Sequence, residues 1–472
     1  MRFDFRQLLE WIRTAEEAAS AHTVPGVVNA PAGVLELNDV VTDSRAVKPG
    51  NVFVALRGER FDAHDFLDAV VAQGAAAVVV DRVPPGLSVP AIVVPDTRAA
   101  LGQIAHGWRV QRQIPVIGVT GSNGKTTVKE MIAAILAAAF GEDGYLGTRG
   151  NFNNEIGVPL TLFRLRAQHQ AAVIEMGMNH PGEIAQLAAI AQPTVALVNN
   201  AQREHQEFMA SVEAVAQENG SVISALPADG IAVFPADDPY SPLWRSLAKA
   251  SGKRKILTFG LSLDANVSCT YVPQAFGSAM TVRVGQREFS LRLAAAGAHN
   301  VRNALAAIAC ALAIGIHRRA IVQGLESFVP VNGRLQHKRA RNGATVVDDT
   351  YNANPDSVKA AIDVLALAPA PRVLVLGDMG AVGSEGRKFH EEIGAYASGR
   401  GIDHLLTLGE LAASAANAFG ARARHHDSLD TLNEAVSALV TPRTTVLVKG
   451  SRFMRMERVV QHLAGEPVRE AH

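Results

Sequence analysis

Residues 114–133 read Ile-Pro-Val-Ile-Gly-Val-Thr-Gly-Ser-Asn-Gly-Lys-Thr-Thr-Val-Lys-Glu-Met-Ile-Ala. The apolar residues 116–120 predict a buried strand, and residues 125–139 predict a helix that starts directly after a glycine-bracketed loop. The two glycines, Gly121 and Gly124, let the backbone bend so that its N–H groups converge on phosphate oxygens. The stretch therefore predicts a strand–loop–helix phosphate cradle, which decides the fold class.

Side chains of the same loop supply the chemistry of such a cradle. Lys125 offers a positive charge to phosphate, and Thr126 offers a hydroxyl to Mg²⁺. The loop is shorter than the common form, because Val119 stands where the full pattern has a glycine. An ordinary glycine-rich turn is the alternative, but the strand before the loop and the helix after it favour phosphate binding.

Composition narrows the class of protein. The 472 residues carry 45 Lys and Arg against 45 Asp and Glu, so there is no basic surplus of the kind that nucleic-acid-binding proteins use. Cys269 and Cys310 are far apart in sequence and fit a reducing compartment. The N-terminus has no signal-peptide apolar region, and the longest apolar run, 304–316, is too short to span a bilayer. We predict a cytoplasmic monomer that neither inserts into a membrane nor binds nucleic acid.

The chain is long enough for about three domains. Strand-like runs at 51–56, 76–80 and 91–94 precede a helix at 97–110. In the middle third, strands alternate with helices, which predicts a mostly parallel, doubly wound sheet. The last third repeats this rhythm and predicts a Rossmann-like α/β domain. Polar residues before Pro115 and a turn at 329–333 mark the boundaries, which gives three predicted domains: 1–112, 113–330 and 331–472.

The predicted strands of the middle third lie at 116–120, 171–175, 194–199 and 231–234, and its helices at 125–139, 181–190, 211–225, 300–314 and 318–327. The predicted strands of the last third lie at 344–348, 372–376, 404–408 and 444–448. Several of these strands end in polar or glycine-containing loops, and ligands of open α/β sheets bind beyond the carboxyl ends of strands. Two such sheets in one chain predict two ligands that meet across a cleft.

Single residues at these ends have more than one interpretation. Glu175 is either a Mg²⁺ ligand or a solvated strand end. His205 stands in a polar loop, where a lone histidine is usually just exposed. Asn153 and Asn154 lie in a dense polar loop that orients a substrate or forms Asx turns. Asn300 either faces a ligand or caps a helix.

Several motifs together resemble the Mur ligases, the ATP-dependent amide-forming enzymes of bacterial cell-wall synthesis. The matching stretches span almost the whole chain: Thr120-Gly-Ser-Asn-Gly-Lys-Thr-Thr127, Glu175-Met-Gly177, His299-Asn300-x-x-Asn303, Gly333-Arg334, and the N-terminal Thr42-Asp-Ser-Arg45 and Phe61-Asp62-x-His64-x-Phe66. Three more, Asp348-Asp-Thr-Tyr-Asn-Ala-Asn-Pro-Asp-Ser357, Leu376-Gly-Asp-Met379 and Val448-Lys-Gly-Ser-Arg452, resemble the branch that adds D-alanyl-D-alanine to UDP-N-acetylmuramoyl-tripeptide.

The resemblance implies ATP and Mg²⁺ as cofactors and a role for each matching residue. The catalytic groups would be Lys125, His205 and Arg334. One Mg²⁺ would be held by Thr126 and Glu175, and a second Mg²⁺ by His205. The nucleotide would be bound by Gly121, Ser122, Asn123, Gly124, Lys125, Thr126, Thr127, Asn300 and Asn303, with Arg334 at the γ-phosphate and Asp349 at the ribose. The substrates would be bound by Ser44 and Arg45 near the UDP pyrophosphate, and by Asn153, Asn154, Tyr351, Asn352 and Asn354. The stretch Asn352-Ala-Asn354 would border the D-alanyl-D-alanine pocket.

One position departs from the family pattern. Many Mur ligases carry a carbamylated lysine after the histidine loop, where it supports a second metal. Asn219 occupies that position here, and an amide cannot be carbamylated. Support for the second metal would then come from Glu218, Glu204 or water.

Other functions compete with this one. The ligase that adds the third peptide residue usually has an Asp-x-Pro-Arg motif in its last domain, whereas this chain reads Asn-Ala-Asn-Pro at 352–355. A folylpolyglutamate synthase is a second alternative within the superfamily. A P-loop ATPase that acts as a switch is a third, and it leaves the first and last domains without a role.

Overall fold

The structure is a computed structural model, and it describes residues 1–19, 26–204, 207–274 and 276–465. It contains three successive α/β regions, each with its own main sheet. This confirms the three-domain α/β class that the sequence predicts. The exact domain boundaries stay a prediction.

The first region has a five-stranded sheet in the order β2-β7-β6-β5-β4 and a separate antiparallel pair of β1 with β3. Its strands are β1 Phe3–Asp4, β2 Gly26–Val28, β3 Glu36–Leu37, β4 Val40–Val41, β5 Val52–Val54, β6 Ala77–Val80 and β7 Ala91–Val93. Its helices are α1 Phe5–Ala19, α2 Leu67–Ala72 and α3 Thr97–Val110. The bounds of α3 agree with the predicted helix, because Asp96 accepts hydrogen bonds from the N–H groups of the first turn.

The central region has a nine-stranded sheet in the order β16-β15-β14-β13-β12-β11-β8-β10-β9. Its strands are β8 Val116–Thr120, β9 Tyr145–Gly147, β10 Ala171–Glu175, β11 Val195–Val198, β12 Ile231–Pro235, β13 Lys255–Gly260, β14 Val267–Gln274, β15 Gly277–Val284 and β16 Arg287–Leu293. Its helices are α4 Lys125–Phe140, α5 Gly157–Leu162, α6 Glu183–Ala191, α7 Val212–Ser224, α8 Ser241–Lys249, α9 Ala298–Ala313 and α10 Arg318–Ser327.

The pairings from β9 to β14 are parallel, which confirms the mostly parallel sheet. Strand β9 and the four strands β13 to β16 were not predicted from the sequence. Strands β14, β15 and β16 form an antiparallel meander in which exposed residues interrupt the apolar ones, so no long apolar run marks them.

The third region has a six-stranded sheet in the order β17-β18-β22-β19-β20-β21, parallel except for β17. Its strands are β17 Gln336–Arg339, β18 Thr345–Asp349, β19 Arg372–Gly377, β20 His404–Leu408, β21 Ala423–His426 and β22 Thr445–Lys449. Its helices are α11 Pro355–Ala366, α12 Gly386–Gly399, α13 Ala412–Phe419, α14 Leu429–Leu439 and α15 Glu457–Ala464. Both edge strands, β17 and β21, are partly exposed, and the sequence analysis missed them.

The order of the strands in each sheet determines which polar loops lie next to each other. Strand β8 lies between β10 and β11, so the loop after β8 is flanked by Glu175 at the end of β10 and Asn199 after β11. In the third sheet β18 pairs with β22, and Asp349 lies opposite Lys449. The carboxyl ends of parallel strands share one edge, which is where ligands bind.

The first and central regions share one apolar core. Trp108 of α3 belongs to the same buried cluster as Leu162 of α5 and Ile184 of α6. Its indole N–H donates to the Leu165 carbonyl at 3.2 Å. The buried Arg109 guanidinium donates to the carbonyl oxygens of Ala191 and Gln192. These contacts fix the first region against the central one.

Helix α12 packs against α13 so closely that it requires glycine at one position. A Cβ at Gly394 would overlap the backbone carbonyl oxygen of Ala415, whereas a Cβ at Gly399 of the same helix meets nothing within 4 Å. We expect Gly394→Ala to lower the free energy of unfolding by about 1–3 kcal/mol through overpacking. Gly399→Ala is the matched control and should be neutral or stabilising by up to about 1 kcal/mol. Calorimetry of the full chain checks this; equal melting of the two variants would contradict the packing.

Candidate active site

The phosphate loop joins β8 to α4 with both glycines in the left-handed half of backbone space. Gly121 has φ +136° and Gly124 has φ +81°. A Cβ at Gly124 would lie 2.5 Å from Asn303 Oδ1 and 2.8 Å from Asn199 Nδ2. Both the conformation and the close side chains therefore require glycine here.

Lys125 folds back over this loop. Its Nζ lies 2.5 Å from the Gly121 carbonyl oxygen, 3.1 Å from that of Ser122 and 2.9 Å from Glu204 Oε1. The ammonium group is thus held at the mouth of the cradle, with its charge balanced by a carboxylate of the loop that follows β11.

The Thr126 hydroxyl belongs to a hydrogen-bonded group with Glu175, Arg334 and Asn153. The Thr126 hydroxyl donates to Glu175 Oε1 at 3.1 Å and accepts from Arg334 Nη2 at 2.9 Å. Asn153 Nδ2 donates to the same Glu175 oxygen at 2.9 Å. Glu175 is 1% exposed, and its Oε2 is buried without a hydrogen-bond partner. A buried carboxylate oxygen beside a hydroxyl fits a hard cation such as Mg²⁺.

Asparagines form the wall behind the loop. Asn199 Nδ2 donates to Asn303 Oδ1 at 2.9 Å, and Asn303 Nδ2 donates to Asn300 Oδ1 at 3.1 Å. Asn300 donates onward to the Ala296 carbonyl. Helix α9 starts at Ala298 after Gly297, so the interpretation of Asn300 as its N-cap is wrong.

The third region contributes the opposite wall. Lys449 Nζ lies 2.6 Å from Asp349 Oδ2, while the Leu335 N–H donates to Asp349 Oδ1. The Arg334 guanidinium lies over the Tyr351 ring, 4.1 Å from its centroid. This stacking and the bond to Thr126 hold Arg334 across the cleft.

Between the two walls lies a cavity of about 710 Å³. Most of the predicted site residues line it: Ser122, Asn123, Gly124, Lys125, Thr126, Thr127, Asn153, Asn154, Glu175, Asn300, Asn303, Arg334, Asp349, Tyr351, Asn352 and Asn354. Gly121 lies in the loop behind them. Ser44 and Arg45 form a 3-10 turn of the first region away from this lining, where Arg45 pairs with Asp43 at 2.8 Å. His205 lies outside the described residues.

The structure adds residues that the site prediction omitted. Asn199, Asn200, Gln202, Glu204 and Lys449 also line the cavity. Four of them follow strand β11 and Lys449 is the last residue of β22, so their position at strand ends was the available signal. His299 lines the cavity as well, and burial lowers its pKa to about 4, which keeps the imidazole neutral near pH 7.

Asn219 and Glu218 have structural partners. Asn219 is fully buried, its Oδ1 accepts from the Thr120 hydroxyl at 2.7 Å, and its Nδ2 has no hydrogen-bond partner. Both Glu218 oxygens accept backbone N–H groups at the start of α6, from Gly182 and Ile184, each at 2.8 Å. Glu218 is therefore occupied as a helix cap.

A charged clamp joins the central and third regions. Arg203 donates to Asp356 through Nε and Nη2, and to Glu392 through Nη1 and Nη2. The hydrogen bonds to Asp356, and to a smaller extent those to Glu392, raise the pKa of the Arg203 guanidinium above its usual value. Beside the clamp, Asn354 Nδ2 donates to Asn123 Oδ1 of the phosphate loop at 2.8 Å.

A second cavity of about 450 Å³ adjoins the first. The two cavities share the residues Glu204, Asn352, Ala353 and Asn354 as lining. Gly380, Val382, Arg452 and Phe453 line only the second. The cleft thus has two adjacent chambers.

A phosphate-binding loop of this form, facing a second α/β sheet across a polar cleft, defines a P-loop nucleotide-binding protein with three domains. Residues 36–109 match the description "Mur ligase family, catalytic domain", residues 119–311 match "Mur ligase middle domain", and residues 333–452 match "Mur ligase, glutamate ligase domain". The chain belongs to the Mur ligase family.

Individual relatives agree with this. The UDP-N-acetylmuramoyl-tripeptide–D-alanyl-D-alanine ligase of Escherichia coli K12 is 40% identical over 435 residues, which cover 91% of this chain and 94% of that protein. MurF from Acinetobacter baumannii has a crystal structure that superposes with a TM-score of 0.90 at 33% identity, covering 98% and 99% of the two chains. MurF ligase from Thermotoga maritima, solved in complex with ADP, has a TM-score of 0.81 at 27% identity and covers 91% and 97%.

The contact between Arg334 and Thr126 predicts that a residue of the third region affects use of ATP. We expect Arg334→Ala to lower kcat/KM for ATP by about 10- to 100-fold, because a charge-assisted contact across the cleft is lost. Arg339→Ala, an exposed arginine of the neighbouring strand β17, is the control and should behave as wild type. Steady-state kinetics with varied ATP measure both, and wild-type values for Arg334→Ala would refute the cross-domain contact.

Proposed function

We propose that this protein is an ATP-dependent ligase that joins D-alanyl-D-alanine to UDP-N-acetylmuramoyl-tripeptide through an acyl phosphate, in peptidoglycan precursor synthesis. The observation that carries the proposal is the cavity of about 710 Å³ in which Lys125 and Thr126 of the phosphate loop meet Arg334 and Asp349 of the third region. The family membership and the relatives that add D-alanyl-D-alanine support the choice of substrates.

The chemistry explains why cations line this cleft. The terminal carboxylate of UDP-N-acetylmuramoyl-tripeptide is a poor electrophile and must first be activated. Its oxygen attacks the γ-phosphorus of ATP, ADP leaves, and an acyl phosphate is formed. Both partners are anionic, and Lys125 and Arg334 would offset their repulsion and stabilise the transferring group. The amine of D-alanyl-D-alanine then attacks the acyl carbon, the bond to phosphate breaks, and phosphate leaves with the amine proton.

Mg²⁺ would be held by Thr126 and Glu175, with His205 as a ligand of a second Mg²⁺. When bound, the ion supplies positive charge to the phosphate oxygens. The buried, unpartnered Glu175 Oε2 supports this assignment, since it lacks any other compensation for its burial. Two of the replacements considered for the missing carbamate, Glu218 and Glu204, already have partners: Glu218 caps α6 and Glu204 contacts Lys125.

The remaining site residues receive their roles from the family resemblance. The loop 121–127 would hold the phosphates, Asn300 and Asn303 the adenine side, and Asp349 the ribose. Ser44 and Arg45 would lie near the UDP pyrophosphate. The acceptor side would be bordered by Asn153, Asn154, Tyr351, Asn352 and Asn354.

We further propose the domains 1–112, 113–330 and 331–472, and a cytoplasmic monomer that binds no nucleic acid. In the part of the chain that the structure describes, no helix has the length and apolar character needed to cross a membrane. Cys269 and Cys310 are both buried free thiols, which suits a reducing compartment.

Incubation with ATP, UDP-N-acetylmuramoyl-tripeptide and D-alanyl-D-alanine tests the function directly. Mass spectrometry should detect the pentapeptide product, and phosphate release should require both other substrates. A switch-type ATPase would release phosphate without them. Use of a dipeptide precursor with a single amino acid, or of folate with glutamate, would instead identify one of the other ligases.

Lys125→Ala should lower the ligation rate at least about 100-fold, because one preorganised cation is lost at the phosphoryl group that is transferred. The fold should be retained, since Lys125 is the first residue of α4 and belongs to no apolar cluster. Lys249→Ala, at the end of α8, is the control. Product formation and the melting temperature are measured together, and near-normal turnover would disprove the role of the loop.

Asn219 predicts independence from dissolved bicarbonate, since no carbamate can form on an amide. The wild-type rate should be the same with and without bicarbonate at every Mg²⁺ concentration. Asn219→Lys should require more Mg²⁺ without bicarbonate, because it introduces a cation near the proposed second metal. A bicarbonate-dependent wild type would show that Asn219 is misassigned.

A further inference from the structure

The second cavity is lined by charged side chains of both signs, as a binding site for a small zwitterion requires. Its lining shares Glu204 with the cavity next to the phosphate loop, and the Glu204 carboxylate already accepts an ammonium group, that of Lys125, at 2.9 Å. The part that the first cavity does not share contains Arg452 and Phe453. An anionic group thus lies where the two chambers meet, and a cationic group lies in the chamber beyond.

We propose that this chamber binds D-alanyl-D-alanine in one orientation, with its carboxylate on Arg452 and its amino group directed past Glu204 to the ATP cavity. The inference rests on the proposed function and deepens it by naming the residue that recognises the acceptor's carboxylate.

Two arginines line the chamber, and they differ in how many of their N–H groups are already engaged. Arg203 is saturated by Asp356 and Glu392, as described for the clamp. Arg452 has a side chain that is 50% exposed and an Nη1 contact of 3.0 Å to Glu457 Oε1. A guanidinium has five N–H groups, so one contact leaves a face that can bind a carboxylate through two parallel hydrogen bonds.

The chamber walls suit two methyl groups. Phe453 is 64% exposed, and Val382 and Ala353 lie in the same lining. Ser451 Oγ accepts from the Gly380 N–H at 2.6 Å and donates to the Ala353 carbonyl at 3.2 Å. This hydroxyl ties together the three segments that form the walls, and so holds Arg452 and Phe453 in place.

The orientation also satisfies the chemistry. The amine must reach the acyl carbon in the ATP cavity, whereas the carboxylate must stay away from the anionic phosphates. Arg452 does not line the first cavity, so a carboxylate bound to it lies outside the chamber of the phosphates.

The test compares two acceptors, D-alanyl-D-alanine and its C-terminal amide, in Arg452→Gln, Arg452→Lys and the wild type. Arg387→Gln, an exposed arginine of α12 outside both linings, is the charge-matched control. Losing a charge-assisted pair should raise KM for D-alanyl-D-alanine by about 10- to 100-fold in Arg452→Gln, with little change in kcat. The wild type should prefer the free acid over the amide by a similar factor, and Arg452→Gln should lose that preference. Arg452→Lys should keep part of it.

Hydroxylamine separates the acceptor step from the earlier one, because it traps the acyl phosphate as a hydroxamate without using the dipeptide chamber. Hydroxamate formation from ATP and UDP-N-acetylmuramoyl-tripeptide should be equal in wild type and Arg452→Gln. An unchanged preference for the acid in Arg452→Gln, or an equal loss of hydroxamate and of peptide product, would overturn the assignment of Arg452. Absence of hydroxamate and product in the wild type would instead overturn the proposed function.

Discussion

Parallel pairing of β8 with β10 on one side and β11 on the other is the constraint on which the site depends. It brings the phosphate loop, Glu175 and Asn199 to one edge of the central sheet. None of these side chains could act on a phosphate alone, since a backbone cradle needs a cation and a metal ligand beside it. A shift of one residue in either register would turn Glu175 to the opposite face of the sheet and remove it from Thr126.

The two interfaces of the central region differ in their physical character. The first region is attached through an apolar core that includes Trp108 and Leu162. The third region meets the central region through Arg334, Asn354 and the Arg203 clamp, which are polar or charged contacts. Polar contacts exchange readily for water or ligand, whereas separating an apolar core exposes hydrophobic surface. The contacts across the cleft between the central and third regions can therefore be replaced by water or ligand without exposing hydrophobic surface.

Charge in the cleft is balanced within the protein itself. Lys125 lies against Glu204, Lys449 against Asp349, and Arg203 against Asp356 and Glu392. Buried charges need such partners, because desolvation of an isolated ion is costly. A triphosphate that enters the cavity offers Lys125 a stronger anionic partner than one carboxylate, so nucleotide binding would exchange partners instead of creating an unpaired charge.

The sequence by itself determined the local parts of this protein: the phosphate loop, the buried parallel strands β8 and β10, and helix α3 with its bounds. Each of these has a signal within a few residues, either a continuous apolar run, a glycine that the backbone requires or a capping side chain. The family motifs extended this to most of the residues that line the cavity. Only the tertiary structure decided which of them touch. Arg334 and Thr126 are 208 residues apart and Asn354 and Asn123 are 231 apart, and such contacts depend on sheet register and on how two regions dock, for which no local pattern exists. The use of Glu218 as a cap for α6 was hidden for the same reason, because the N–H groups that it accepts belong to Gly182 and Ile184. The antiparallel meander of β14 to β16 was hidden for a different reason: its strands pair with their sequence neighbours, but exposed residues interrupt their apolar ones.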